Sequence, residues 1–245
     1  MTEEIVRIAA RGDGATASGK HVAFGAPGDI LLDDGSLAAG PHHQTPPCRH
    51  FPECGGCQLQ HVDDEAYTQY LVSRVDTALA QHGLETEMRE PHLSPPKSRR
   101  RASLRVLKAG QGAVIGFNAA KSNRIVDMRE CHILRPELFA LVEPLRQLLG
   151  GPLRAPAVAE IRLTLADQGV DVLLAHIEAE GVEAAEALSR FGEEQGLARV
   201  SIDDGYGTET RYEPAPVTVS LSGVPVVLPT TAFLQATREG EAALV

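Results

Sequence analysis

The sequence predicts an α+β protein, and three observations carry that expectation. Short apolar runs separated by glycines fill the first forty residues, strand-like and helix-like runs alternate between residues 63 and 203, and a hairpin pattern follows near the C-terminus. With 43% hydrophobic residues in a chain of 245, there is enough apolar surface for a buried core.

Ile5-Val6-Arg7-Ile8, His21-Val22-Ala23-Phe24 and Asp29-Ile30-Leu31-Leu32 read as strands, and the glycine turns between them favour a small, reduced barrel over residues 1–40. The prolines of Gly40-Pro41-His42-His43-Gln44-Thr45-Pro46-Pro47 exclude regular helix and mark a linker. Asp63-Asp64-Glu65 supplies a cap and negative charge for a helix over residues 63–82, and Gly83 is placed to end it. Tyr67, Leu71, Val75, Ala78 and Leu79 would form its apolar stripe.

Beyond the breaks at Pro91, Pro95 and Pro96, strands are expected at residues 101–107 and 113–117 around Gly110-Gln111-Gly112, with a third at 124–128. Pro136 opens a second helix that runs to Gly150-Gly151, with a kink expected at Pro144. Residues 159–165 and 170–177 read as strands, 182–195 as a helix and 198–203 as a returning strand. Gly205-Tyr206-Gly207 reads as a loop, since no apolar helix follows it, and residues 217–221 and 225–228 form a hairpin around Ser222-Gly223. The division expected is 1–40, 41–215 and 216–245. The helix-like end at Glu241-Ala242-Ala243-Leu244-Val245 carries no stop signal, which predicts a truncated chain.

A net charge of -10 argues against a protein that coats nucleic acid indiscriminately, because its field repels phosphate. The basic residues cluster at Lys97, Arg99, Arg100, Arg101 and Arg105. That run could follow an RNA backbone or form a solvated strand edge, and the acidic background favours phosphate contact. With no tryptophan and 4% aromatic residues, any platform for stacking bases is small. No run of eighteen apolar residues occurs and the N-terminus lacks a secretory signal, so a cytoplasmic protein without membrane attachment, and a monomer, is expected.

Cys48, Cys54 and Cys57 fall within one short loop, and Cys131 lies far along the chain. Such a cluster suggests a metal rather than disulfides, and spacing alone leaves an iron–sulfur cluster, a structural zinc or unrelated buried thiols open. His50, His61 and His132 flank the cysteines but are unnecessary as ligands beside four thiols.

The fourteen residues from Cys48 to His61 closely resemble the cluster loop of bacterial iron–sulfur RNA uracil-5-methyltransferases that modify 23S ribosomal RNA. Ile115-Gly116-Phe117, Ser122, Ile125-Val126-Asp127 and Cys131 resemble the family segment that delivers the last cysteine, and Phe233-Leu234-Gln235 resembles the stretch that contacts S-adenosylmethionine. The N-terminal segment ending in Gly25-Ala26-Pro27-Gly28-Asp29 resembles a shortened TRAM domain, a small RNA-binding barrel. The resemblance implies a 4Fe-4S cluster on Cys48, Cys54, Cys57 and Cys131, S-adenosylmethionine at Gln235, RNA at the basic run, and residues 216–245 as the start of a Rossmann-like methyltransferase domain. It also implies that helix 63–82 packs on that catalytic domain.

Uracil C5 methylation requires a cysteine thiolate that adds to carbon 6, so that the resulting enolate attacks the methyl group and a base then removes the proton. With all four cysteines assigned to the cluster, no catalytic residue is expected here, and the chain alone is expected not to methylate RNA. A zinc-stabilised, non-enzymatic RNA-binding module and an electron-transfer iron–sulfur protein are the competing readings.

Overall fold

The computed structural model describes residues 2–109, 112–151, 153, 158–177 and 179–245. The turn expected at Gly110 and Gln111 lies outside the described residues. The chain divides into two compact units, residues 1–52 with 57–93, and residues 53–56 with 94–245.

The first unit holds five short strands: β1 (Glu3–Ile8), β2 (Gly14–Thr16), β3 (His21–Val22), β4 (Ile30–Leu31) and β5 (Leu37–Ala38). They form one antiparallel sheet in the order β3-β2-β1-β4-β5. Strands of two or three residues cannot hold their register by side-chain alternation alone. Here Asp29, with none of its surface exposed, accepts hydrogen bonds from the Ala26 N–H at 2.8 Å and the Gly40 N–H at 2.7 Å, and pairs with His43 Nδ1 at 2.7 Å. One carboxylate thereby ties the turn before β4 to the linker after β5.

Helix α1 (Asp64–Ala80) starts where the sequence predicts, with Asp63 as its N-cap accepting from the Ala66 N–H at 2.9 Å. Its buried face differs from the predicted stripe. Ala66 and Tyr70 are the buried residues and pack with Ile8, Ala26 and Val62, while Tyr67 and Leu71 are half-buried and Val75 is exposed. Only the first half of α1 therefore contributes to the core of this unit.

The second unit is built on a six-stranded sheet ordered β11-β10-β9-β8-β6-β7. Its strands are β6 (Arg101–Ala109), β7 (Gly112–Gly116), β8 (Val158–Leu165), β9 (Val170–Ala175), β10 (Arg199–Asp203) and β11 (Thr208–Tyr212). All neighbours are antiparallel except β9 and β10, which α4 (Gly181–Glu194) connects. A parallel pair needs such a crossover, because a tight turn can join only antiparallel strands.

Alternation sorts the strands into two faces. Leu104, Val106, Ile115, Ile161, Leu163, Val172, Leu174, Val200 and Ile202 lie in one continuous core with residues of α2 (Pro136–Ala140), α3 (Val142–Gly150) and α4. Helix α3 lies on β7 and β6, α2 on β8, and α4 on β10 and β11. Full burial of each such Leu, Ile or Val contributes roughly 1.5–3 kcal/mol, so this face dominates the stability of the unit.

Two expectations need correction. Residues 136–150 form two helices that break at Leu141, three residues before the predicted kink. Pro144 has no N–H for the Ala140 carbonyl and its ring crowds that oxygen, so the disruption falls one turn upstream. Residues 124–128 are not a strand. They run beside residues 115–119 through bonds from the Val126 N–H to the Phe117 carbonyl and from the Met128 N–H to the Ile115 carbonyl, both at 2.9 Å. At Gly116 a Cβ would stand 2.0 Å from the Val126 oxygen, so the approach is too close for any side chain.

Strand β11 is an addition that the sequence did not suggest. The terminal hairpin, β12 (Thr218–Leu221) with β13 (Val224–Val227), and helix α5 (Arg238–Ala243) complete the unit. Val217, Val219, Leu228 and Leu234 pack with Ala166 and Ala198 as a second small core. The buried Arg199 fixes this hairpin, donating to both Asp171 carboxylate oxygens at 3.0 and 2.7 Å and to the Leu228 carbonyl at 3.1 Å. Its pKa is raised, chiefly by the bond to Asp171 and against the effect of burial. No helix among the described residues is long and apolar enough to cross a membrane.

Candidate nucleic-acid interface

On the sheet face opposite the helices, β6 and β8 carry Arg101, Ser103, Arg105, Glu160, Arg162 and Thr164. Arg105 stands opposite Glu160 in the β6–β8 register, and Ser103 stands opposite Arg162. The Arg105 guanidinium meets Glu160 at 2.9 Å, and Arg162 Nε donates to the other Glu160 oxygen at 2.6 Å. Burial pushes the Glu160 carboxyl upward, but bonds from Arg162 and Ser103 and the charges of Arg162 and Arg105 outweigh it, so its pKa is lowered. One carboxylate thus holds two half-exposed arginines side by side and leaves the trio with a net positive charge. Arg162 is absent from the residues chosen on sequence. Its signal was the alternation of Glu160, Arg162 and Thr164 with the apolar residues of β8.

The basic run itself is divided by the strand alternation. Lys97 and Arg99 are exposed, with their backbone N–H groups bonded to the His132 and Ile133 carbonyls at 2.9 and 3.0 Å. Arg101 is half-buried and lies over the Phe233 ring, 4.7 Å from its centroid. Arg100 points inward and retains 2% exposure. Its backbone N–H donates to the Ala236 carbonyl at 2.8 Å, its Nε donates to the Gln235 carbonyl at 3.1 Å, and its guanidinium pairs with Glu241. An arginine expected at RNA is therefore committed to holding the segment that carries Gln235. Gln235 is half-buried and fixed through its backbone by Arg100.

The four cysteines are all half-buried. Cys48 and Cys57 belong to the first unit, and Cys54 and Cys131 to the second. Cys54 is paired as an antiparallel bridge with Ala119, the Gly55 N–H donates to the Asn118 carbonyl at 2.9 Å, and a Cβ at Gly55 would come within 2.8 Å of that oxygen. Glycine is therefore required beside Cys54. Cys131 packs against the large core, and its Sγ accepts from the Leu134 N–H at 3.5 Å. In kind and number the donors suit a thiolate-bound group. Among the described residues no three His, Cys, Asp or Glu side chains converge as a metal-binding group.

Of the flanking histidines, His132 lies 3.8 Å from Glu130 and is half-exposed, and His50 is also half-exposed. His61 differs from both. It is 1% exposed, stacks on Phe51 with centroids 5.6 Å apart, and has Phe24 at 5.9 Å and His43 at 5.6 Å. Among the described residues neither of its ring nitrogens has a hydrogen-bond partner. Burial, helped by the nearby His43, depresses its pKa; the Gly25 backbone and Asp29 oppose this, Gly25 without reaching hydrogen-bond geometry.

No protein-family model matches this sequence. Curated relatives do. An uncharacterized RNA methyltransferase of Zymomonas mobilis is 47% identical over 244 residues, which is 99% of this chain and 62% of that protein. A second, from Caulobacter vibrioides, is 35% identical over 97% of this chain and 61% of its own length. A 23S rRNA uracil-C5-methyltransferase of Photorhabdus laumondii is 31% identical over 81% of this chain and 46% of its length. Among solved structures, the Pyrococcus abyssi tRNA (uracil-54, C5)-methyltransferase in complex with S-adenosyl-L-homocysteine matches with a TM-score of 0.70, at 18% identity, over 100% of this chain and 63% of that one. The fold is thus shared with that enzyme. The relatives of this chain are RNA methyltransferases, and it spans about three fifths of the length of the Zymomonas and Caulobacter proteins.

Proposed function

We propose that these residues are the RNA-holding part of an S-adenosylmethionine-dependent methyltransferase acting on carbon 5 of a uridine in 23S ribosomal RNA. The likeness to the Zymomonas protein over nearly the whole chain carries the RNA methyltransferase reading, and the Photorhabdus relative supports uracil C5 and 23S ribosomal RNA as its target. The polar sheet face is the surface that would meet RNA, with Arg99, Arg105 and Arg162 available for phosphate and Arg101 held over Phe233. S-adenosylmethionine would supply the methyl group. Within this chain the contribution to that site is positional: Arg100 fixes the backbone at Gln235 and Ala236. With the four cysteines assigned elsewhere, no residue here serves as the nucleophile, and the chain binds RNA without methylating it.

Incubation of the intact protein with S-adenosylmethionine and 23S ribosomal RNA lacking the modification is expected to yield 5-methyluridine. Transfer RNA, the substrate of the Pyrococcus enzyme, serves as the competing substrate, and methylation of that RNA alone would move the reading to tRNA. Replacing Arg99 and Arg105 by glutamine should weaken RNA binding and flatten its salt dependence, by a slope of about 0.7–0.9 per lost phosphate contact. Arg100 is unsuitable for this comparison, because its loss disturbs the C-terminal segment.

The same reading assigns a 4Fe-4S cluster to Cys48, Cys54, Cys57 and Cys131, with a structural role that cross-links the cysteine loop to Cys131. Thiolates are the ligands such a cluster takes, and all four cysteines are half-buried with no disulfide between them. Anaerobically purified protein is expected to contain iron and inorganic sulfide and to absorb visible light, and Cys54→Ser should be colourless and less stable. Zinc in place of iron would favour the non-enzymatic RNA-binding module instead.

A further inference from the structure

Phe24 stands in a backbone conformation that ordinarily excludes a bulky side chain. It is the third residue of the turn Val22-Ala23-Phe24-Gly25, closed by the Gly25 N–H on the Val22 carbonyl at 3.3 Å, and its φ is 59°. Positive φ at that point of a turn ordinarily selects glycine or asparagine, because a Cβ crowds the backbone. The bulky side chain is nevertheless kept there, and 42% of the residue remains exposed. Strain is thus accepted to hold an aromatic ring partly in solvent, a combination associated with binding sites.

The ring rests on a fixed support. Phe51 lies 5.6 Å away at an interplanar angle of 75°, and His61 lies 5.9 Å away at 85°. Phe24 is therefore perpendicular to both, and neither ring stacks on it face to face. Behind it the Phe51–His61 stack meets His43, which the buried Asp29 anchors at 2.7 Å. The support is also polar where it need not be, because His61 is buried with a donor and an acceptor both uncommitted among the described residues. In a chain without tryptophan, two of the six phenylalanines meet here.

Charge narrows the ligand. In the first unit acidic residues outnumber basic ones by roughly two to one, and Lys20, near the turn, is paired with Glu3. Such a surface repels a phosphate backbone, whereas an unpaired base offers an uncharged π-face to an aromatic ring. We propose that Phe24 is the stacking platform for one unpaired nucleobase of the RNA, a contact made with the base and not with the backbone. The proposal rests on the RNA-binding reading above and adds a recognition contact outside the basic sheet face.

The test uses a short single-stranded RNA from the target region with 2-aminopurine substituted at successive positions. Stacking on Phe24 quenches the fluorescence of one position. Phe24→Asn, which tolerates the left-handed backbone, should abolish that quench and weaken binding by about tenfold, by the same factor at low and high salt. Phe24→Tyr should retain both the quench and the affinity. Unchanged quench and affinity in Phe24→Asn overturn the proposal while leaving RNA binding intact. A loss that shrinks as salt rises assigns Phe24's effect to electrostatics and also overturns it. Failure of the unsubstituted chain to bind RNA removes the RNA-binding reading and this contact together.

Discussion

The two units are held together by different means. In the second, alternate residues of five strands merge with residues of three helices into one apolar core from Leu104 to Ile202. In the first, five buried residues suffice for the cluster around Tyr70, and the chain path depends on Asp29, whose carboxylate gathers three partners from two loops. Burial is non-directional and tolerates small shifts, whereas a single polar hub fixes geometry but offers no redundancy. The unit with the larger core supports the basic sheet face, and the smaller, bond-directed unit holds the strained aromatic turn.

The largest expected effect belongs to the apolar core. Leu163 is fully buried in the middle of β8, and Leu163→Ala should cost ~2–5 kcal/mol in urea denaturation. A cost well under about 1 kcal/mol would show that the core relaxes around the cavity and would remove the contrast between the units.

Asp29→Ala comes next, at ~1–3 kcal/mol, because it strands the Ala26 and Gly40 N–H groups and releases His43. The loss should be local. Hydrogen exchange at the amides of residues 24–43 is expected to rise while β8 and β9 stay protected, and uniform acceleration across both units would break the comparison.

The same difference governs what could be read from the residues. Helix α1 was legible from Asp63 and Gly83, and β8 and β9 from alternation and apolar runs. Strand β11 was not, since Thr208–Tyr212 is a polar edge whose structure comes from pairing with β10. Residues 124–128 look like a strand by composition, but the contact at Gly116 is tertiary. At the candidate interface the basic run was visible as charge, while the inward turn of Arg100 depends on Gln235, Ala236 and Glu241, more than a hundred residues away. Arg162 was hidden because only the β6–β8 register sets it beside Glu160 and Arg105. Phe24 read as the last residue of a strand, and no pattern announces a left-handed phenylalanine.

The smallest effect sharpens the comparison through pH. His61 is buried with its pKa depressed below the ordinary 6.5, mainly by burial. Below that value the unfolded chain takes up a proton that the folded chain resists, so the contribution of His61 is complete above about pH 7 and is lost as pH falls toward the folded-state pKa. The slope it adds cannot exceed about 1.4 kcal/mol per pH unit, the limit for one proton. His61→Phe keeps an aromatic ring beside Phe51 and breaks no hydrogen bond among the described residues. Its stability should therefore match the parent near pH 8 and exceed it progressively toward pH 5, with titrating groups remote from His61 cancelling in the difference between the two proteins. Parallel curves over that range would mean that water or a bound group already satisfies the imidazole, and the first unit would then owe nothing to a neutral histidine at its centre.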